Sequence, residues 1–209
     1  MLKQQRGTSL SSANQAKQRE VYMSKIDNKK VLPHIAQRKI IAQSGLFRVE
    51  QLDLEFSNGE KRQFERMAGS GRGAVMIVPF INDDEFLLVR EYAAGTHSYQ
   101  LGFPKGLIDP GESAMVAANR ELKEEVGFGA KHLTPLHTVS MAPAFFDASM
   151  QIFVAQDLYP ESLPGDEPEA MEVVSWSIRD MDSLLAREDF VEARCIAALF
   201  LTQRWMRRG

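Results

Sequence analysis

Apolar and polar residues alternate over residues 47–56 (FRVEQLDLEF), the period of a half-buried strand. Asn58-Gly59 follows, and because both residues tolerate positive φ the pair predicts a tight hairpin turn with 61–67 as the return strand. A lone hairpin does not hold together in water, so this piece must pack on something. Beyond the glycine-rich link 68–73 (AGSGRG), apolar runs at 74–80 (AVMIVPF) and 85–92 (EFLLVREY) flank a turn at Asn82-Asp83-Asp84 and predict two strands, the first continuously buried. Helix formers fill 113–126 and stop at Gly127, which predicts a helix and its end. Shorter strands are predicted at 133–141, 151–155 and 173–177, and helices at 180–186 and 191–206. The last helix puts Ile196, Leu199 and Phe200 on one face with Cys195 beside it. Strands flanking a central helix predict a mixed architecture, α+β or α/β.

The chain has 209 residues, enough for a main domain with a small appendage. The pattern divides it into a basic tail at 1–35, an N-terminal β subdomain at 36–70 and a main domain at 71–209. Residues 1–30 hold seven Lys or Arg against two acids, while the whole chain is at −3, so the remainder is distinctly acidic. An acidic body argues against binding the phosphate backbone of long nucleic acid, and the basic tail lacks the interleaved aromatics that would reverse that. The tail reads as disordered, with no apolar core of a secretory signal. Its basic, acid-poor composition is only a faint likeness to a transit peptide; a plain tail ahead of a shorter start at Met23 is the stronger reading. No apolar run approaches the roughly 20 residues of a membrane helix. The single Cys195 forms no internal disulfide and suits a reducing, cytoplasmic setting.

The chemistry lies in 106–128, GLIDPGESAMVAANRELKEEVGF. Glu121, Glu124 and Glu125 stand at i, i+3 and i+4, so all three share one side of the helix. They repel each other there and sit near the C-terminal end, where the helix dipole disfavours anions. A hard divalent cation with oxygen ligands reverses the sign of that interaction. Three acids alone are more often a solvated face. The full spacing decides otherwise: Gly106, then Glu112, then Arg120-Glu121, Glu124-Glu125 and Gly127 resembles the box of the Nudix hydrolases position for position, at chance odds below about 10⁻⁶ over the chain.

That resemblance implies an α/β/α sandwich, a mixed sheet between helices, joined here to a small N-terminal hairpin subdomain. It also implies Mg²⁺- or Mn²⁺-assisted attack of water on a diphosphate bridge. By the family pattern Glu121 and Glu125 are the main metal ligands, Glu124 binds metal or its water, and the carbonyl of Lys105 completes the shell. Gly106, Glu112, Arg120 and Gly127 shape the motif, with Glu112 pairing Arg120. The acidic stretch 165–169 (GDEPE) resembles the loop that supplies a base in ADP-ribose-cleaving members, which nominates Glu167 and then Glu169; a merely solvated loop is the equal alternative. From about residue 45 onward the chain is similar to the members that cleave ADP-linked compounds (ADP-ribose, NADH, diadenosine polyphosphates), in segments such as LDLEFSNG, REYAAGT and LGFPKGLIDPGES. In that group the N-terminal hairpin crosses to a second subunit, which implies a homodimer. Phe47 and Arg66 then stand where adenine would be held, although core packing of Phe47 competes. Arg90 is a candidate phosphate ligand or a structural ion pair.

Ala93 stands where many ADP-ribose members have a second arginine, and the nearest polar residue to a glutamate they carry ahead of the box is Gln100. These departures suit a broader preference for ADP-linked compounds. Two rivals stay open: hydrolysis of another sugar nucleotide or a nucleoside triphosphate, and a binding module without turnover. The box does not separate the first, and the intact carboxylates disfavour the second. The four histidines are too scattered for a zinc site, and Cys195 reads as inert core.

Overall fold

The computed structural model describes residues 30–69 and 71–208. The chain forms two compact units, one containing Leu52–Phe64 and the described residues up to Lys39, the other Ile40–Gln51 and the chain from Glu65 onward. This division cuts through the three N-terminal strands. Most of the tail assigned to 1–35 lies outside the described residues, but its end, from His34, is already strand.

Strands β1 (His34–Gln43), β2 (Arg48–Glu55) and β3 (Lys61–Met67) form a sheet with β2 in the middle. The predicted hairpin is therefore part of a three-stranded sheet. β1 is exposed along almost its whole length, so it carries no apolar alternation to betray it. The turn also differs from expectation. Gly59 alone takes positive φ (84°), and the loop closes through the Phe56 amide donating to the Glu60 carbonyl at 2.9 Å. Central position buries Glu50 and Leu52 of β2, and Glu50 is matched by Arg66 Nε at 2.8 Å.

The main unit holds β4 (Ala74–Pro79), β5 (Glu85–Ala93), β6 (Ser98–Gly102), β7 (Lys105–Leu107), β8 (Phe128–Ser140), β9 (Ser149–Pro160) and β10 (Glu172–Ser177). They make a four-stranded sheet ordered β7-β4-β9-β8 and a three-stranded antiparallel sheet ordered β10-β5-β6. In the first, β4 and β9 are parallel and the other pairs antiparallel, so it is mixed. The helices are α1 (Ala114–Glu125), α2 (Met181–Leu185) and α3 (Ala193–Met206).

Alternation along β4 explains the layering. Val75 and Ile77 join Ala117, Ala118 and Leu122 of α1 in one core, while Met76 and Val78 join Leu184, Ala198 and Leu199 of the C-terminal helices in the other. Both faces of β4 are covered, which is why its sequence is an unbroken apolar run. The result is the expected α+β sandwich of mixed sheet between helices. β6 and β7 were not foreseen: one is short and polar at its start, the other is three residues around Gly106.

Leu122 is fully buried between α1 and the sheet. Leu122→Ala should cost about 2–5 kcal/mol, read as a lowered denaturant midpoint at unchanged m-value.

Candidate active site

Strand β4 sets the site. It pairs antiparallel with β7 so that Val75 faces Gly106 and Met76 faces Lys105. The segment behind Gly106 is thereby laid along α1. Ser113 caps that helix, its hydroxyl accepting from the Val116 amide at 3.3 Å, and Gly127 ends it with φ at 77°. Gly106 has a steric reason: a Cβ there would overlap the Glu121 carboxylate.

Arg120 organises the loop before the helix. Its Nε and Nη2 donate to the two oxygens of Glu112 at 3.0 and 3.1 Å, and Nη2 also donates to the Leu107 carbonyl at 2.9 Å. Nη1 donates to Glu121 and to Glu124, both at 2.8 Å. The Arg120 hydrogen bond is the main cause that holds the Glu112 carboxyl below its ordinary range.

Glu121 and Glu125 lie one turn apart, at 8% and 6% exposure. Burial pushes the Glu125 carboxyl up to about 8, against the opposing charge of Lys105 and a hydrogen bond from the Lys105 amide at 3.1 Å. Burial also raises Glu121, with the charges of Glu124 and Glu167 adding to it and Arg120 opposing. The Lys105 ammonium pairs with Glu91. Burial alone would lower that ammonium, but the hydrogen bond and charge of Glu91, with Glu125 behind, outweigh it.

Among the described residues, no three acids, histidines or cysteines converge as an ion requires. Arg120 holds oxygens of Glu121 and Glu124 instead. The donor set nevertheless fits a hard divalent cation: it is all oxygen, two of its carboxylates are buried, and their charged forms are short of compensation.

Glu167 and Glu169 line a cavity of about 380 Å³ together with Arg90, Glu91, Tyr92 and Tyr99. Tyr99 donates its hydroxyl to Glu169. The charge of Glu167 is felt at Glu121. Arg90 is tied to Glu172 through Nε at 2.9 Å and to Asp189 through Nη1, so its ion-pair role is visible at the cavity wall. Phe47 and Arg66 are not among the cavity residues. Phe47 is half exposed, and Arg66 is engaged by Glu50 and by Asp147 at 3.3 Å. Tyr92, Tyr99, Glu91 and Asp189 escaped the sequence reading. Tyr92 and Tyr99 flank Ala94-Gly95, and an aromatic pair across such a turn was the available hairpin signal.

Comparison with known proteins agrees with this geometry. The profile described as "NudE-type Nudix hydrolase N-terminal domain" matches residues 33–66. The NUDIX domain profile matches residues 71–199, well over half the chain. The chain belongs to the Nudix hydrolase family. It is 59% identical over 175 residues to ADP compounds hydrolase NudE of Escherichia coli (strain K12), covering 84% of this chain and 94% of that one. The ADP-ribose pyrophosphatase of Bacillus subtilis (strain 168) is 27% identical over 170 residues, 78% of this chain and 91% of its own. A crystal structure of an ADP compounds hydrolase superposes with a TM-score of 0.81 at 57% identity, covering 87% of this chain and 97% of that chain. The chain is thus a Nudix-type hydrolase, and its Nudix box is the loop and helix just described. Cys195, buried with its thiol pushed up to about 12 by burial, is chemically quiet. None of the described helices is long and apolar enough to cross a membrane.

A carboxyl whose pKa is higher folded than unfolded stabilises the fold fully below the unfolded value, and loses that contribution as pH rises through the folded one. For Glu125 the window runs from its ordinary 4.5 to about 8. In chelator, the melting temperature should therefore fall across that window, and Glu125→Gln should flatten the decline.

Proposed function

We propose that this Nudix hydrolase is a divalent-metal-dependent pyrophosphohydrolase of ADP-linked compounds, releasing AMP and the phosphorylated remainder. ADP-ribose, NADH and diadenosine polyphosphates are the substrates the reading names. The observation that carries it is the buried pair Glu121 and Glu125, raised above the ordinary carboxylate range behind Gly106. The printed functions of the relatives above, on ADP compounds and ADP-ribose, support the ADP-linked class.

Glu121, Glu125 and Glu124, with the Lys105 carbonyl, would hold Mg²⁺ or Mn²⁺. Such an ion, when bound, lowers the pKa of its water and neutralises diphosphate charge. The remaining work belongs to the chain. Arg120 keeps Glu112 and the segment after Gly106 in place. Glu167, in the cavity wall, takes the proton of the attacking water. Glu169 is the second candidate for that proton. Arg90 presents a guanidinium at the cavity for phosphate oxygens. Adenine is held by Phe47 and Arg66 in a homodimer, a reading supported by exposed Ile40, Ile41 and Phe64 on the N-terminal strands.

Glu125→Gln should abolish most turnover while the fold is retained. Glu167→Gln should lower kcat by about 10²-fold or more with little change in the Mg²⁺ needed for activation. Parallel turnover of ADP-ribose, NADH, diadenosine triphosphate and GDP-mannose tests the substrate class. A strong preference for GDP-mannose would defeat it, and sedimentation as a monomer would defeat the shared adenine site.

A further inference from the structure

We infer that Tyr99 is a positioning residue: by donating its hydroxyl to Glu169 it fixes the 161–171 segment so that Glu167 is the carboxylate presented to the helix acids. The inference deepens the reading above and rests on it.

The segment has neither helix nor strand of its own, so its conformation depends on side attachments. Its start is fastened to the end of α1. The Glu161 amide donates to the Gly127 carbonyl at 3.1 Å and the Leu163 amide to the Lys123 carbonyl at 3.2 Å, while Lys123 Nζ pairs with Glu161 at 2.8 Å. Gly165 passes close to the backbone of Glu124: a Cβ there would lie 3.8 Å from the Glu124 carbonyl oxygen. Its far end is fastened by Glu172 to Arg90. Between these ends run the two acids that could serve as base. Tyr99 engages the second of them.

Tyr99 is well placed to act as a fixed post. It sits on β6 directly opposite Tyr92 of β5, and their rings meet edge-to-face at 5.8 Å. Tyr92 in turn shares a hydrogen bond with His97 Nδ1 at 2.8 Å. The donor therefore projects from a paired strand braced by a second aromatic. The hydrogen bond to Glu169 also raises the Tyr99 phenol above its ordinary value. With Glu169 committed to Tyr99, Glu167 remains, and its carboxylate rests against Gly165 where the segment passes the Glu124 carbonyl of α1. Fixing a reacting group before the substrate arrives removes ordering entropy from the barrier. The hydrogen bond is exposed, so its loss should loosen the segment without unfolding the protein.

Tyr99→Phe tests this, since it removes the donor and keeps the ring. With ADP-ribose and Mg²⁺, kcat should fall about ten-fold, and KM should stay within about two-fold. In metal-free protein, amide exchange over 164–170 should quicken while the melting temperature is unchanged. Glu169→Ala should give the same loss, and the double variant should be no worse than either single one. Glu169→Gln, whose carbonyl still accepts, should recover most of what Glu169→Ala loses. Normal kcat and unchanged exchange in Tyr99→Phe overturn the inference. So does a loss in Glu169→Gln as deep as in Glu167→Gln, which would make Glu169 the base. Failure of the underlying reading looks different. Normal turnover in both Glu125→Gln and Glu167→Gln removes the metal and base assignments, and with them the catalytic half of this inference, whatever Tyr99→Phe does.

Discussion

Two carboxylates buried one helical turn apart, with too little positive charge to match them, set the terms for the rest of the main unit. Glu121 and Glu125 lie on the buried side of α1, against the strand that carries Lys105 and Gly106. Isolated charges in such a place are costly, and the surroundings show where the cost is met. Arg120 bridges Glu112, Glu121 and Glu124, and Lys105 lies behind Glu125 with Glu91 as its own counterion. The compensation is incomplete, which is what leaves both carboxyls above their ordinary range. An arrangement that is poor as a stabilising device is well suited to receiving a cation.

The scaffold around that pair is stiff where stiffness matters. β4 is covered on both faces, so its register with β7 and β9 is strongly specified. That register fixes Gly106 against Glu121, and the glycine is required because its backbone has no room for a side chain. A second network, in which Asp189 accepts from Arg90 and from Arg187, ties β5 to the chain ahead of α3 and holds the Asp189 carboxyl well below its usual range.

Features written in local pattern were legible from sequence. Ser113 and Gly127 bracket α1, the apolar run of β4 announces a strand buried on both sides, and the box spacing fixes which acids share a helix face. What escaped depends on distant partners. β1 is exposed and lacks apolar alternation, and β7 is too short for any periodicity. The Tyr99–Glu169 and Arg90–Asp189 contacts join residues 70 and 99 positions apart, and nothing in either neighbourhood names the other. Even the Asn58-Gly59 turn, correctly located, closed through a longer loop than its dipeptide suggested.

The segment after β9 is hung from the last turn of the very helix whose acids line the site. The reach of the cavity is thus measured from a fixed origin. Lengthening or shortening the chain between Leu163 and Glu172 would resize that cavity and shift Glu167 and Glu169 with it, while the acids of α1 stay on their helix. Cavity size and the placing of its two acids are therefore set together, by the length of one tethered segment.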